Sequence, residues 1–208
     1  MKGKFYQKIS PRTRQFIRPG IALVGCIVFM AGLFSLMKTD ASTSLHSPGG
    51  DGNLVLSSDS VLNRYVKVIA DASIGDTTVQ IMDADLLDDP AFGDLVMIVQ
   101  MQGASINSTN DRTWGSVSSL NNAGNYEFAY IKAVDFEANQ ISFCSPLTKD
   151  YASSGNVQLI KVPEYTDLTI NSGTKVTSEK WNGITGGIVV IHASGTVTID
   201  GEINVDGV

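Results

Sequence analysis

Residues 196–207 read Thr196-Val197-Thr198-Ile199-Asp200-Gly201-Glu202-Ile203-Asn204-Val205-Asp206-Gly207. They form two copies of a six-residue pattern in which aliphatic and polar residues alternate and each copy ends on Asp-Gly. Short strands with aliphatic side chains on one face, separated by corner turns, stack as the turns of a β-helix. Asp-Gly is also a strong hairpin signal, so a plain β-hairpin is the competing interpretation. The constant spacing and shared phase of the copies favour the β-helix.

A looser copy of this pattern lies upstream, from Asp167 to Gly173. We therefore predict that residues 164–208 begin a β-helix, with alternate aliphatic side chains inside it because every second residue of a strand shares a face. The inward set is Leu168, Ile170, Val197, Ile199, Ile203 and Val205. The last turn of a β-helix needs a covering segment, so we expect the chain to be the N-terminal part of a longer, truncated protein.

Residues 61–163 alternate short apolar runs with turn dipeptides, and no helical stripe of three turns follows Met37. This pattern predicts an all-β fold in which a small β-barrel or sandwich leads into the β-helix. The predicted strands are Tyr65–Ala70, Thr77–Met82, Asp94–Gln102, Tyr126–Val134, Gln140–Cys144 and Asn156–Val162. Residues 95–99 are apolar on both faces, as in a central strand. Residues 39–60 are rich in Ser, Thr, Gly and Asp, and we predict a flexible tether there.

The N-terminal segment has the pattern of an export signal. Six Lys or Arg residues and no acidic residue occupy positions 1–18, and the run from Ile21 to Met37 carries no charge. Residues 1–38 are therefore predicted to form a basic region and a signal anchor or transmembrane helix, which places the folded part outside the cytoplasm. Cleavage after Ala41 and lipidation at Cys26 are the alternatives.

The charge and the reactive residues of the exported part exclude several functions. Eight Lys or Arg residues face twenty-one Asp or Glu residues after Lys38, a net charge of −13. Such a surface repels phosphate backbones, so no nucleic acid is expected as a partner. Only His46, His192 and Cys144 follow Lys38, which is too few for a zinc site, an internal disulfide or a histidine-based catalytic cluster. We expect no cofactor and no catalytic residue within the chain.

Two features remain as candidate sites. The acidic cluster Asp83, Asp85, Asp88 and Asp89 offers oxygen ligands to calcium, although it lacks the spacing of an EF-hand loop, and a solvated acidic turn is the simpler interpretation. Trp114 lies in the long polar insertion 104–124, and insertions of this length are often functional. Trp114 is therefore the candidate for ligand contact.

Three aromatic residues, Tyr126, Phe128 and Tyr130, share one face of a predicted strand. Rings at this spacing could stack on sugars, but the core of a barrel explains the same spacing, and we expect them there. Cys144 is expected to be a small core residue, and His192 to lie on the outer face of a strand.

Several segments carry a resemblance to a known architecture: Ile69 to Val79, Gly93 to Ala104, Tyr126 to Ala129, Asn156 to Pro163 and Trp181 to Gly187. Together they resemble the N-terminal region of large exported surface proteins of Bacteroidota and related Gram-negative bacteria. The resemblance implies a small β-barrel leading into a β-helix at the head of a long, adhesin-like chain. It implies no catalytic residues.

These features favour a non-enzymatic, membrane-anchored or exported cell-surface protein that serves as a scaffold for adhesion or polysaccharide contact. Its partners would be the membrane, through Ile21 to Met37, and polysaccharide or other surface components. The alternatives are a β-helical carbohydrate-active enzyme, such as a lyase or hydrolase with catalytic residues beyond Val208, and a periplasmic assembly factor.

Overall fold

The computed structural model describes residues 50–206, and these residues are all-β apart from two short 3₁₀ helices, Ala84–Leu87 and Ser153–Gly155. The all-β prediction is confirmed. Among these residues no helix has the length and apolar character needed to cross a membrane. The predicted anchor, Ile21 to Met37, lies outside the described residues.

Six strands form one antiparallel sheet that curls into a half-barrel. In sheet order they are β3 (Arg64–Lys67), β10 (Val157–Val162), β5 (Leu95–Gln100), β8 (Tyr126–Asp135), β9 (Gln140–Phe143) and β4 (Thr78–Gln80). All six lie where the sequence predicts strands. The two edge strands meet at an antiparallel bridge between Val68 and Ile81. The curled sheet therefore has little open edge at this point, which protects it from pairing with other chains.

Strand β5 is buried along its whole length, as predicted from its apolar run. Val96 and Ile98 belong to the inner core of the half-barrel, whereas Leu95, Met97 and Val99 belong to a second core on the outer face. Ile188 and Val190, from the C-terminal part of the chain, pack on that outer face. Each fully buried aliphatic side chain contributes about 1.5–3 kcal/mol to stability. The outer core therefore joins the half-barrel firmly to the segment that follows it.

Five parallel strand pairs form a coil with three faces. Strands β1 (Leu54–Leu56), β12 (Leu168–Ile170) and β15 (Val197–Ile199) stack on one face. Strands β2 (Ser60–Val61), β13 (Lys175–Thr177) and β16 (Glu202–Asn204) stack on the next, and β11 (Glu164–Tyr165) pairs with β14 (His192–Ala193) on the third. This is the strand arrangement of a β-helix, so the hairpin interpretation of the Asp-Gly repeats is wrong.

The coil begins earlier than the sequence suggests. Residues 54–60, placed by the sequence in a flexible tether over 39–60, form the first turn of the coil together with Val61, because Leu54 pairs with Leu168 and Ser60 with Val176. The chain then leaves the coil to form the half-barrel and returns at Glu164. The half-barrel is thus an insertion between the first and second turns. Residues 39–49 lie outside the described residues.

Close packing at one corner of the coil explains the glycine at position 201. A side chain at Gly201 would collide with the backbone oxygen of Thr174 in the turn below, and its Cβ would lie 2.6 Å from the Asn171 oxygen. Backbone N–H groups of Asp200 and Gly201 both donate to the Ile170 oxygen, at 2.9 and 3.0 Å. The corner is therefore closed by direct backbone stacking that leaves no room for a Cβ.

The aliphatic side chains predicted to point into the coil are largely in register between turns. Their exposure differs from one turn to the next. Leu168 and Ile170 are buried, and in register with them Val197 and Ile199 are 48% and 49% exposed. Ile203 stands in register with buried Val176 and is also exposed. The last described turn therefore keeps the inward phase while its apolar side chains remain uncovered.

Candidate functional site

An exposed row of three aromatic side chains runs along strand β8. Tyr126, Phe128 and Tyr130 are 52%, 50% and 37% exposed. The prediction that they fill the barrel core is wrong. The alternate positions Ala129 and Ile131 face that core. The aromatic row lies on the outer face instead.

The row is the uncovered margin of the outer apolar face. Leu95 pairs with Tyr130, Met97 with Phe128 and Val99 with Tyr126, so the six side chains share one face. The β5 members are buried within the core that includes Ile188 and Val190, whereas the β8 members are not. The same apolar face is thus buried on β5 and exposed on β8. Exposed apolar patches of this kind mark interaction sites.

The rings in the row have different orientations. The centroids of Tyr126 and Phe128 are 6.4 Å apart and their planes are 85° from parallel. Lys149 Nζ lies 4.9 Å from the centroid of the Tyr126 ring and donates a hydrogen bond of 2.6 Å to the backbone carbonyl oxygen of Tyr126. One face of Tyr126 is therefore covered by a cation, and this ring and Phe128 cannot lie flat under the same planar group.

A buried carboxylate lies at the Tyr130 end of the row. Glu164 is 1% exposed, and its Oε1 is 3.1 Å from His192 Nδ1 and 3.4 Å from the Tyr130 hydroxyl oxygen. The backbone N–H of Glu164 donates to Asp51 Oδ2 at 2.7 Å. Burial, followed by the charge of Glu164 and the hydrogen bond to it, raises the pKa of Tyr130. The cluster holds a charge-bearing group away from water with polar partners around it, as such burial requires.

This cluster escapes sequence analysis. Tyr130 and His192 lie 34 and 28 residues from Glu164, and no motif relates them. The one local signal is a single acidic residue, Glu164, which begins β11 two residues after the buried end of β10. As expected, His192 lies on the outward side of its strand, since neighbouring Ile191 packs in the interior of the coil.

Trp114 lies in the turn of a hairpin arm formed by β6 (Ser105–Ile106) and β7 (Val117–Ser119). Its side chain is 69% exposed. The turn is closed by Asp111, which accepts hydrogen bonds from Thr109 and Thr113 that lower the pKa of its carboxyl. The arm is a separate structure from the aromatic row, and ligand contact by Trp114 stays a prediction.

The four candidate calcium ligands have structural roles instead of a common centre. Asp83 caps the first 3₁₀ helix by accepting from the Asp85 N–H at 3.0 Å, and Asp88 pairs with Arg64 at 3.5 Å. The backbone oxygens of Asp88 and Asp89 accept from Lys161 Nζ at 3.0 and 3.4 Å. Across residues 50–206, no three acidic, histidine or cysteine side chains form a group suited to a metal ion. Cys144, expected in the core, is exposed.

Two open grooves flank the coil. One, of about 230 Å³, contains Arg64, Lys161 and Tyr165, and both cations in it already pair with aspartates. The other, of about 330 Å³, contains Glu179, Lys180 and Trp181. Neither groove includes the aromatic row, which is a surface and not a cavity.

Comparison with known proteins finds no matching family model and no matching curated protein. Solved structures with similar backbone coordinates include three phage tailspikes. The Gp54 tailspike of Acinetobacter baumannii bacteriophage AP22, solved with A. baumannii capsular saccharide, is 16% identical with a TM-score of 0.36, over 62% of this chain and 19% of the tailspike. The tailspike gp49 of Pseudomonas phage LKA1 is 14% identical with a TM-score of 0.32, over 55% and 21%. The tailspike gp61 of Pseudomonas phage phi297 is 11% identical with a TM-score of 0.33, over 75% and 22%.

The match spans about a fifth of the length of each tailspike. At these identities and scores, the description of the fold rests on the strand pairing of this chain itself.

Proposed function

We propose that this chain is an exported or membrane-anchored surface protein whose aromatic row contacts polysaccharide. The observation that carries the proposal is the exposure of Tyr126, Phe128 and Tyr130 on a rigid strand. Alternate residues of a strand are about 7 Å apart, a spacing on the scale of one sugar unit. Aromatic faces and edges can therefore contact successive sugars of an extended chain.

Two further features support a sugar and not a nucleic acid or a lipid as the partner. The net charge of −13 after Lys38 opposes polyanions. The row is also narrow and has polar groups at both ends, Lys149 near Tyr126 and Glu164 with His192 near Tyr130. Saccharides combine apolar ring faces with hydroxyl groups and match this combination.

The location outside the cytoplasm is also part of the proposal. The basic residues before Ile21 and the uncharged run up to Met37 support it. The resemblance of residues 65–208 to exported surface proteins of Bacteroidota supports the same location. A periplasmic assembly factor would share it, and binding to polysaccharide separates the two functions.

The binding experiment compares the full chain with the variant Tyr126→Ala/Phe128→Ala/Tyr130→Ala on an array of bacterial polysaccharides. The matched control is Phe92→Ala/Phe136→Ala, which removes two aromatic side chains of similar exposure that are not members of the row. We expect affinity to fall tenfold or more in the triple variant, about 1.4 kcal/mol, and to change less than twofold in the control. Equal affinity in all three proteins would exclude the row as the site. Depolymerisation of a bound polysaccharide would favour the enzyme.

The location is tested by fusing alkaline phosphatase after Val208 in a bacterial host. We expect an active fusion, and loss of that activity when residues 1–37 are deleted. An inactive but fully expressed fusion would contradict the topology.

A further inference from the structure

We propose that the groove beside Trp181 is a second saccharide-binding site, in which the indole ring stacks on a neutral sugar unit and two carboxylates accept hydrogen bonds from its hydroxyl groups. The described residues of this groove belong to other segments than the aromatic row on β8. The inference rests on the proposed function for the class of ligand and adds a site to it.

The first step is the lining of the groove, which is small and mostly polar. Its volume of about 330 Å³ is at the lower end of the range usual for ligand pockets, about 300–1,000 Å³. One large flat ring, Trp181, is joined there by hydroxyl, carboxylate and ammonium groups, from Thr177, Ser178, Glu179, Lys180 and Asp206. Val205 is the one aliphatic residue among the described residues of the lining. Such a groove suits a sugar, which has apolar ring faces and hydroxyl groups, and offers little to a lipid.

The second step is the loop that carries Trp181, because binding is tighter when the contact residues are ordered beforehand. Asn182 Oδ1 accepts from the backbone N–H groups of residues 184 and 185, both at 2.9 Å. The Gly187 N–H donates to the Glu179 oxygen at 2.9 Å, which closes the loop at its base. The loop is thus held by its own hydrogen bonds.

A buried amide also fixes this loop to the half-barrel. Gln158 on β10 is fully buried, and its Oε1 accepts from the Gly186 N–H at 2.9 Å while its Nε2 donates to the Gly186 oxygen at 3.1 Å. Gly186 has a φ of +99°, and a Cβ there would lie 2.6 Å from the Lys180 oxygen, so only glycine fits. A Cβ at Gly187 would lie 3.5 Å from that of Trp181, so the loop returns to the side chain that it carries. The half-barrel therefore positions the backbone around Trp181.

The third step is that the polar groups of the groove are available to a ligand. Within residues 50–206, the half-buried Trp181 makes no hydrogen bond through its indole N–H, and the side chains of Glu179 and Lys180 form no ion pair. An ionised carboxylate only accepts hydrogen bonds, so Glu179 and Asp206 pair with the donating hydroxyl groups of a sugar. Two carboxylates and one ammonium group give the lining a net negative charge, which favours a neutral sugar over an acidic one.

The first test observes Trp181 directly. The chain has two tryptophans, so nitrogen-15 labelling of tryptophan in the full chain gives two indole N–H signals, and Trp181→Phe assigns them. The probes are neutral hexasaccharides of glucose, galactose and mannose. We expect at least one of them to shift the Trp181 signal saturably, because a stacked sugar changes the surroundings of the ring. Glycerol at the same concentration of hydroxyl groups is the control, and an equal shift with glycerol would overturn the inference.

The second test removes the two carboxylates and keeps their shape. In Glu179→Gln/Asp206→Asn, at two exposed positions, the amides accept weaker hydrogen bonds than the carboxylates do. The saccharide concentration that half-saturates the Trp181 shift should therefore rise at least about threefold. Asp135→Asn/Glu137→Gln removes two charges at exposed positions outside the groove and should change it less than about twofold. An equal rise in both variants would assign the effect to net charge and overturn the inference.

The row variant, Tyr126→Ala/Phe128→Ala/Tyr130→Ala, separates this inference from the proposed function. We expect the Trp181 shift to persist in it, and loss of the shift would contradict a second site. If a saccharide binds more weakly to the row variant and leaves the Trp181 signal of the unchanged chain in place, the inference falls and the proposed function stands. If the shift persists and no affinity depends on the row, the groove is the site and the row is not. No shift of Trp181 with any hexasaccharide overturns the inference, whatever the array shows for the row.

Discussion

The half-barrel buries many more apolar side chains than the coil. The half-barrel has a full core inside its sheet and a second core on its outer face. The coil interior rests on four buried side chains, Leu56, Leu168, Ile170 and Val176, with partly buried neighbours. The half-barrel can therefore tolerate local losses that the coil cannot, because each turn of a coil depends on the turn next to it.

Deleting residues 51–61 should have the largest effect, because it removes the first turn of the coil. Leu168, Ile170 and Val176 would lose their cover, a loss on the order of 5 kcal/mol. Hydrogen exchange should show loss of protection in 164–204 and retained protection in β5 and β10. Unchanged protection in the coil would mean that the first turn adds nothing to it.

A matched pair of truncations compares the two regions directly. Ile98→Ala in the core of the half-barrel should destabilise the protein by about 2–5 kcal/mol, because its side chain is fully buried. Ile199→Ala removes the same atoms from the exposed last turn and should cost less than about 1 kcal/mol. Urea unfolding measures both. A larger loss of unfolding free energy in Ile199→Ala than in Ile98→Ala would contradict the smaller apolar contact of the last turn.

Asn63 links the two regions, and its loss should have an intermediate effect. This buried side chain donates to the Lys161 and Val190 oxygens and accepts from the Val190 N–H. In Asn63→Leu these backbone groups lose their partner, which costs about 1–3 kcal/mol in thermal or urea unfolding. Asn110→Leu, at an exposed position of the hairpin arm, is the control and should be near neutral.

High pH should weaken the contact between the half-barrel and the coil, with a smaller effect than the substitutions above. Burial, followed by the charge of Glu179, raises the pKa of Tyr65 to about 12, and its hydroxyl donates to the Ile188 oxygen at 2.5 Å. The unfolded chain loses this proton near pH 10, so the stabilisation is complete below pH 10 and is lost as the pH rises toward 12. The loss for this group should be about 1–2 kcal/mol. Tyr65→Phe should show a shallower decline between pH 10 and 12, and an unchanged slope would assign the decline to other groups.

The sequence predicted the strands of the half-barrel because their alternation and turn residues are local signals. It missed β1 and β2 for a physical reason. They are three and two residues long and lie in a run rich in Ser, Asp and Gly, so nothing in their composition distinguishes them from a linker. Their partners, Leu168 and Val176, lie more than a hundred residues away and become neighbours only when the half-barrel has been formed between them.

The aromatic row shows the same limit at the candidate site. Alternation indicated that Tyr126, Phe128 and Tyr130 share a face, but both faces of β8 carry apolar residues, and the pattern does not say which one is inside. Tertiary packing decided it: Ala129 and Ile131 face the inner core, which also holds Phe143 and Tyr151, and the three rings of the row lie on the outer face. No sequence motif relates Glu164, His192 and Tyr130, since three separate strands bring them together.

The sequence by itself determined the all-β class, the six strands of the half-barrel and the short strands β15 and β16 of the coil. Each of these depends on the order of residues within a few positions, where side-chain alternation and glycine at corners act directly. Only the tertiary structure decided that the half-barrel is inserted into the coil, that the aromatic face is outside and that Glu164 meets its partners. These depend on packing between distant segments, which no local pattern encodes.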